Sequence, residues 1–250
     1  MIHLLLRADD LGYSEAVNLG IAKTVKEGLI RSVGLMPNMT AAEHGLSLLR
    51  GLDICLGQHT NICVGVPVSD PSKIPSLVDE NGMFKSSRVY RSAKEDFVDA
   101  KEVVLEIEAQ YNRFQELTGR EPDYFEGHAV RSAAFMRGLK EVALRHGLKY
   151  SSMVMPGEEM QIGGRAVNRC PMDSMDPAYD AVQSLQKAVL EAREDMPNLY
   201  VCHPGYLDAY LLRSSSLTVN RTKEVEMLCD PTVKSWLDRH NVQCISYNEV

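Results

Sequence analysis

The chain has 250 residues, 44% of them apolar and 24% charged, and a formal net charge of -7 at pH 7. That balance supports a substantial core and excludes a disordered chain, while the scattered Lys and Arg leave no basic footprint for a nucleic-acid partner. The length fits one large unit, so residues 1–250 are expected to form a single domain.

Short apolar runs alternate with segments of helical period, the pattern of βα units around a mainly parallel sheet. Ile2–Ala8 is the first strand, and Ser14 then caps a helix with Val17, Ile21 and Val25 on one face. Ser32–Met36 and Ile54–Gly57 are the next strands. Val64–Ser92 is rich in Pro, Ser, Asp and Gly and exceeds the ~12–15 residues of an ordinary loop, so it reads as a functional excursion over a site. A helix carrying Val103, Ile107, Tyr111, Phe114 and Leu117 ends at Gly119 and leads to a strand at Tyr124–Glu126. Phe135, Leu139 and Val142 mark a helix that stops near Gly147, ahead of a strand at Lys149–Val154. Pro156–Pro177 is a second irregular stretch, in which Gly163-Gly164 marks a short hairpin. A helix at Tyr179–Glu194, a strand at Leu199–Cys202 and a helix at Thr222–Leu228 follow. Asp230-Pro231 then opens a last helix, as N-cap and first helical position, before a strand at Val242–Ser246. About seven βα units suffice to close a distorted (β/α) barrel.

The six cysteines form no CxxC pair and sit mostly in or beside apolar runs, the usage of reduced thiols in a cytoplasmic protein. The start, Ile2-His3-Leu4-Leu5-Leu6 followed at once by Arg7 and two aspartates, is too short and too soon charged for a secretory signal. No apolar run approaches the ~20 residues of a membrane span. The expectation is a cytoplasmic protein without membrane contact, with a homodimer as the ordinary prior for a barrel with exposed helices.

Catalytic groups of parallel α/β proteins gather at the carboxyl ends of strands. Such ends here carry Asp9-Asp10, His59, Glu126-Gly127-His128 and His203-Pro204-Gly205. A turn and helix cap would also use an Asp-Asp pair, but adjacent carboxylates after a buried strand disfavour joint ionisation unless a cation or a proton separates their roles. His59 or His128 alone could be a satisfied interior imidazole. At one level with Asp10 they form a three-ligand set that leaves positions open for water and substrate. His203, fixed by the following proline, serves both as part of a tight turn and as a candidate general acid. His3, His44, His146 and His240 fall at a strand start, within a helix and at helix ends, and read as structural or solvated.

The ordered set Ala8-Asp9-Asp10-Leu11-Gly12, Gly57-Gln58-His59-Thr60-Asn61, Glu126-Gly127-His128 and His203-Pro204-Gly205-Tyr206 resembles the YdjC-like carbohydrate deacetylases, which include the chitooligosaccharide deacetylases. Asn112-Arg113-Phe114 through Leu117-Thr118-Gly119-Arg120-Glu121-Pro122 and Asn220-Arg221-Thr222-Lys223-Glu224 resemble further segments of that family. The resemblance implies a barrel of the polysaccharide-deacetylase kind and a Mg²⁺ or Zn²⁺ ion on Asp10, His59 and His128. It also implies hydrolysis of an N-acetyl group on a small acetylated amino sugar or oligosaccharide. Asp9 would take the proton of water, His203 would protonate the leaving amine, and Arg131 and Arg221 would touch substrate. One departure is that Ala129-Val130-Arg131 stands where family members carry further alternating histidines. It motivates a competing reading, a sugar-binding or regulatory protein with a vestigial site, and a third reading is a metal-dependent sugar isomerase or epimerase on a similar barrel.

Overall fold

The computed structural model describes residues 1–152, 154 and 160–250. The first half comprises β1 (Ile2–Leu11), α1 (Glu15–Lys26), β2 (Ser32–Leu35), α2 (Ala42–Leu49), β3 (Cys55–Thr60), α3 (Ser87–Ser92), α4 (Ala100–Thr118), β4 (Phe125–Gly127) and α5 (Ala133–Arg145). The second comprises β5 (Met160–Ile162), β6 (Arg165–Arg169), α6 (Ala181–Leu190), β7 (Asn198–Cys202), α7 (Ala209–Ser214), α8 (Asn220–Cys229), α9 (Pro231–Arg239) and β8 (Val242–Ile245). The main ladder runs β4-β3-β2-β1-β7-β6-β5, and β8 pairs with the first half of β1. All these pairings are parallel except the β5–β6 hairpin at Gly163-Gly164. Single bridges from Phe125 to Tyr150 and from Ser151 to Ile162 link the ends of the ladder, so the sheet curls into a distorted barrel.

β1 sets the layering, because alternate residues of a strand face opposite sides. Leu4, Leu6 and Ala8 face outward into a core shared with Val17, Ile21 and Val25 of α1 and with Leu228 of α8. Leu5 faces inward with Leu199, Tyr124 and Tyr247, which plug the bottom of the barrel. The rings of Tyr124 and Tyr247 stack there with centroids 3.7 Å apart. Arg7 and Asp9 continue the inward face, so the interior passes from apolar to charged toward the strand ends.

The helices start and stop for local reasons. Ser14, Ser132 and Asp230 each accept a backbone N–H at the starts of α1, α5 and α9. Gly119 ends α4 in the left-handed conformation, φ 72°, which a residue without a Cβ adopts freely.

The excursion at Val64–Ser92 contains a bridge between Val78 and Phe84 and the short α3. It is tied to α4 by carboxylates, with Glu106 accepting from Val68 and Ser69 N–H and Glu102 from Ser76 N–H. The expected strand at Lys149–Val154 is reduced to the bridges at Tyr150 and Ser151, and its Met153 lies outside the described residues. The first four residues of the stretch expected at Pro156–Pro177 also lie outside them. The helix expected over Tyr179–Glu194 spans only Ala181–Leu190, because Asp180 caps its start. Among the described residues no helix is long and apolar enough to cross a membrane, and all six cysteines are free thiols.

Candidate active site

Strict alternation would send Asp9 into the barrel and Asp10 out among the helices. The register between β1 and β2 shifts between Ala8 and Leu11, the signature of a β-bulge, and Asp10 takes a left-handed φ of 77°. A bulge re-aims the side chains beside it, and here both carboxylates line one cavity of about 530 Å³ at the strand ends. Asp tolerates that backbone conformation better than most residues, and its cost is the kind of strain that functional sites retain.

His59 and Glu126 sit directly opposite each other in the β3–β4 register. The Nδ1 of His59 is hydrogen-bonded to the Glu126 carboxylate, which turns Nε2 toward Asp10. The Oδ1 of Asp10 lies 3.1 Å from His59 Nε2 and 3.1 Å from His128 Nδ1, and those two nitrogens are 2.8 Å apart. Donors ~2.1 Å from one ion stand about 3 Å from one another, so the three atoms fit a single cation. Asp10 Oδ1 is buried without a well-aligned hydrogen bond among the described residues.

The field agrees with the geometry. Burial opposes the Asp10 charge, yet the Arg221 guanidinium and the imidazoles hold its carboxyl well below the usual range. Burial equally opposes charge on the imidazoles. Even so, Glu126 and Asp9 push His59 well up, and Asp10 takes His128 to about 9. Positive charge is therefore favoured where the three donors converge, as a divalent ion requires.

Two guanidiniums frame the carboxylates. Arg7 grips Asp9 with Nε–Oδ1 at 2.6 Å and Nη2–Oδ2 at 2.7 Å, reaches Glu126 at 3.4 Å, and donates to the Tyr247 hydroxyl at 2.8 Å. Arg221 lies behind Asp10, 2.7 Å from Oδ2. His203 follows β7, whose Cys202 pairs with Ala8, and this brings it beside Asp9. Burial drives the His203 imidazole down to about 4, so it is neutral at pH 7, and its Nδ1 has no partner among the described residues. Its backbone N–H donates to Glu224 and its carbonyl accepts from Arg221, so one helix, α8, clamps it on both sides.

The YdjC-like protein family is matched over residues 3–239. The chain belongs to that family. This YdjC-like chain is 28% identical to a carbohydrate deacetylase 2 of Listeria innocua serovar 6a, covering 99% of this chain and 98% of that protein. It is also 28% identical to a carbohydrate deacetylase of Clostridium beijerinckii, covering 100% of both, and 25% identical to a chitooligosaccharide deacetylase of Klebsiella pneumoniae, covering 99% and 98%. Among solved structures, an Enterococcus faecalis V583 protein described by cellobiose-phosphate cleavage shares the fold at a TM-score of 0.81 and 22% identity, over 99% and 98% of the two chains. A family 4 acetyl xylan esterase from Clostridium thermocellum, solved with cobalt, shares the fold more distantly, at a TM-score of 0.52 and 14% identity over 99% and 89%.

In this YdjC-like chain Asp9, Asp10, His59, His128, His203, Arg131 and Arg221 all line the one cavity. Arg221 is 2% exposed and bound to Asp10, whereas Arg131 is exposed at the mouth. Sequence reasoning missed Arg7, the structural role of Glu126, and Glu224. Arg7 was legible as the residue two before Asp9 on the same strand face, and Glu224 as the residue three after Arg221 on one helix face.

Proposed function

We propose that the chain is a metal-dependent hydrolase that removes an N-acetyl group from a small acetylated amino sugar or oligosaccharide of the chitooligosaccharide type. The observation that carries this reading is the convergence of Asp10 Oδ1, His59 Nε2 and His128 Nδ1 within 3.1 Å of one another, at the base of a cavity that Asp9 and His203 also line. The names of the carbohydrate deacetylase relatives support the reaction class. Two imidazoles and one carboxylate suit zinc better than magnesium, which prefers oxygen ligands.

A divalent ion held by these residues supplies Lewis acidity toward a water molecule and an acyl oxygen. Asp9, its orientation fixed by the two-pronged Arg7 contact, accepts a proton from the water as the water oxygen bonds to the acetyl carbon. His203 is neutral with an unpartnered ring nitrogen, so it relays that proton to the nitrogen of the breaking C–N bond. Acetate and a free amine leave. Glu126 keeps His59 in the tautomer that offers Nε2 to the cation, and Arg221 keeps Asp10 ionised.

The test is acetate release from N-acetylated chitooligosaccharides by protein of measured metal content. Stoichiometric divalent metal is expected, and activity should vanish on chelation and in His128→Ala. Mass spectrometry must show loss of an acetyl group, since isomerisation would leave the mass unchanged. Acetate release that survives both treatments overturns the reading, and saturable sugar binding without turnover at every supplied metal points to a binding protein.

A further inference from the structure

We propose that three buried side chains, those of Glu106 and Gln110 on α4 and of Asn61 just past β3, position both the Val64–Ser92 excursion and the imidazole ligands, and so couple the cavity wall to the metal centre. This rests on the reading above for the metal and the reaction, though not for the docking of the excursion.

Asn61, Glu106 and Gln110 are each 0% exposed. Glu106 and Gln110 stand four positions apart, on one face of α4. One Glu106 oxygen accepts from Val68 N–H at 3.0 Å and from Gln110 Nε2 at 2.8 Å, and the other accepts from Ser69 N–H at 2.8 Å. Gln110 in turn accepts from Asn61 N–H at 3.0 Å and donates to the Asn61 carbonyl at 2.6 Å. A chain of polar contacts therefore runs from the excursion through α4 to the end of β3.

That end carries the imidazoles. Asn61 is two residues past His59, and the carbonyl of Thr60 between them accepts from His128 N–H at 2.8 Å. The Asn61 carboxamide also fixes the start of the excursion, accepting from Cys63 and Val64 N–H and donating to the Val64 carbonyl. Val64, Ser87 and Arg91 bring the excursion to the cavity wall.

Adhesion alone does not call for this arrangement. Ile74, Leu77 and Phe84 of the excursion already share an apolar core with Val103 and Ile107 of α4, and such burial is non-directional. Glu106 has no cationic partner among the described residues, and burial pushes its carboxyl up. A buried carboxylate held only by N–H groups costs stability that an apolar side chain would not. What it adds is direction. Two consecutive backbone N–H groups on one carboxylate fix where the excursion lies against the helix, and Gln110 ties that position to β3.

The test combines hydrogen exchange by mass spectrometry, metal affinity by competition with a chelating indicator, and KM for an N-acetylated chitooligosaccharide. In metal-free wild-type protein, Zn²⁺ should slow exchange at Val68 and Ser69 about 10-fold, because coupling between two sites is reciprocal. Glu106→Gln replaces one accepting oxygen by an amide donor. Exchange at Val68 and Ser69 should then rise about 10-fold and KM about 3- to 10-fold, while kcat and metal affinity change less than about 3-fold. In Gln110→Met, of similar length but without hydrogen bonds, metal affinity should fall about 10-fold as well, and exchange should no longer respond to Zn²⁺. Exchange indifferent to Zn²⁺ in the wild type, or unchanged metal affinity in Gln110→Met, overturns the coupling. Faster exchange spread equally over β1 and β7 would mark a loss of global stability and overturn it too. Exchange and metal titration need no turnover, so the coupling survives a protein that releases no acetate, an outcome that overturns the deacetylase reading alone.

Discussion

Replacing Glu224 by Gln should stabilise the protein above neutral pH and change it little in mild acid. Glu224 is 1% exposed, and burial pushes its carboxyl from 4.5 to about 7, against the opposing pull of the His203 N–H, the Tyr179 hydroxyl and the Arg221 charge. Between those values the folded protein keeps a proton that the unfolded chain has released. Its contribution is therefore fully present below 4.5 and is lost as pH rises through about 7. A displacement of that size corresponds to about 3 kcal/mol. Glutamine has no proton to lose, and its carbonyl oxygen can still accept from His203. Its amide would then face the Tyr179 hydroxyl, which has the Tyr200 hydroxyl 3.4 Å away as another partner, so rearranged hydrogen bonding costs about 1 kcal/mol. Urea unfolding followed by circular dichroism from pH 4.5 to 8.5, at fixed metal, measures the difference between the two proteins. Groups common to both cancel, and the difference should grow by about 3 kcal/mol in favour of the variant toward high pH. A difference that stays flat would show that Glu224 is ionised throughout and that the buried charge is compensated.

Glu126→Gln should leave the fold intact but weaken metal affinity by about 10- to 100-fold, since the carboxylate that sets the His59 tautomer is gone, and a competition titration with a chelating indicator reads this directly. Unchanged affinity would remove Glu126 from the account of the centre. Gly20→Ala, which in an open helix would add about 1 kcal/mol of stability, should here cost roughly 1–3 kcal/mol and lower kcat. A methyl group at Gly20 would stand 2.5 Å from the Gly205 Cα, pressing the backbone just beyond His203. Thermal unfolding and metal analysis together test it, with a raised Tm and unaltered kcat as the refuting result.

The parts of the fold that were legible are those whose cause is local. The periodic faces of α1, α4 and α5, the caps at Ser14 and Asp230 and the stop at Gly119 all follow from side chains within a few positions. Strand ends were harder, because neighbours decide them. β3 runs on through Gln58, His59 and Thr60, three residues past the expected Gly57, since β2 and β4 pair with it on both sides. The strand expected at Lys149–Val154 failed for the converse reason. Its Tyr150 and Ser151 bridge β4 and β5 by single contacts instead of extending one ladder. At the site, residue types at strand ends were readable, but the partners that tune them were not. Arg7 adds Glu126 to its contact with Asp9 only once β1 and β4 curl toward each other. Gly34 of β2 leaves the room for that meeting, since a Cβ there would lie 3.1–3.2 Å from His59, Asp9 and Glu126.

The bulge in β1 explains why two adjacent aspartates can hold different tasks. On a regular strand Asp10 would be buried among Leu4, Leu6 and Ala8 in the outer core, where a carboxylate without a partner is costly. Turning it back into the barrel adds a third carboxylate to a buried cluster in which Arg7 and Arg221 are the two guanidiniums in direct contact. One negative charge is left without a fixed counterpart, and it falls where two imidazole nitrogens already point. Asp9, gripped on both oxygens by Arg7, is held away from that point, which suits the proton-transfer role proposed for it at the cavity wall. Asp10, gripped on one oxygen by Arg221, presents the other to the two imidazoles. A single backbone irregularity thus gives neighbouring aspartates different surroundings, as the proposed roles of base and ligand require, and the unequal arginine contacts keep them apart.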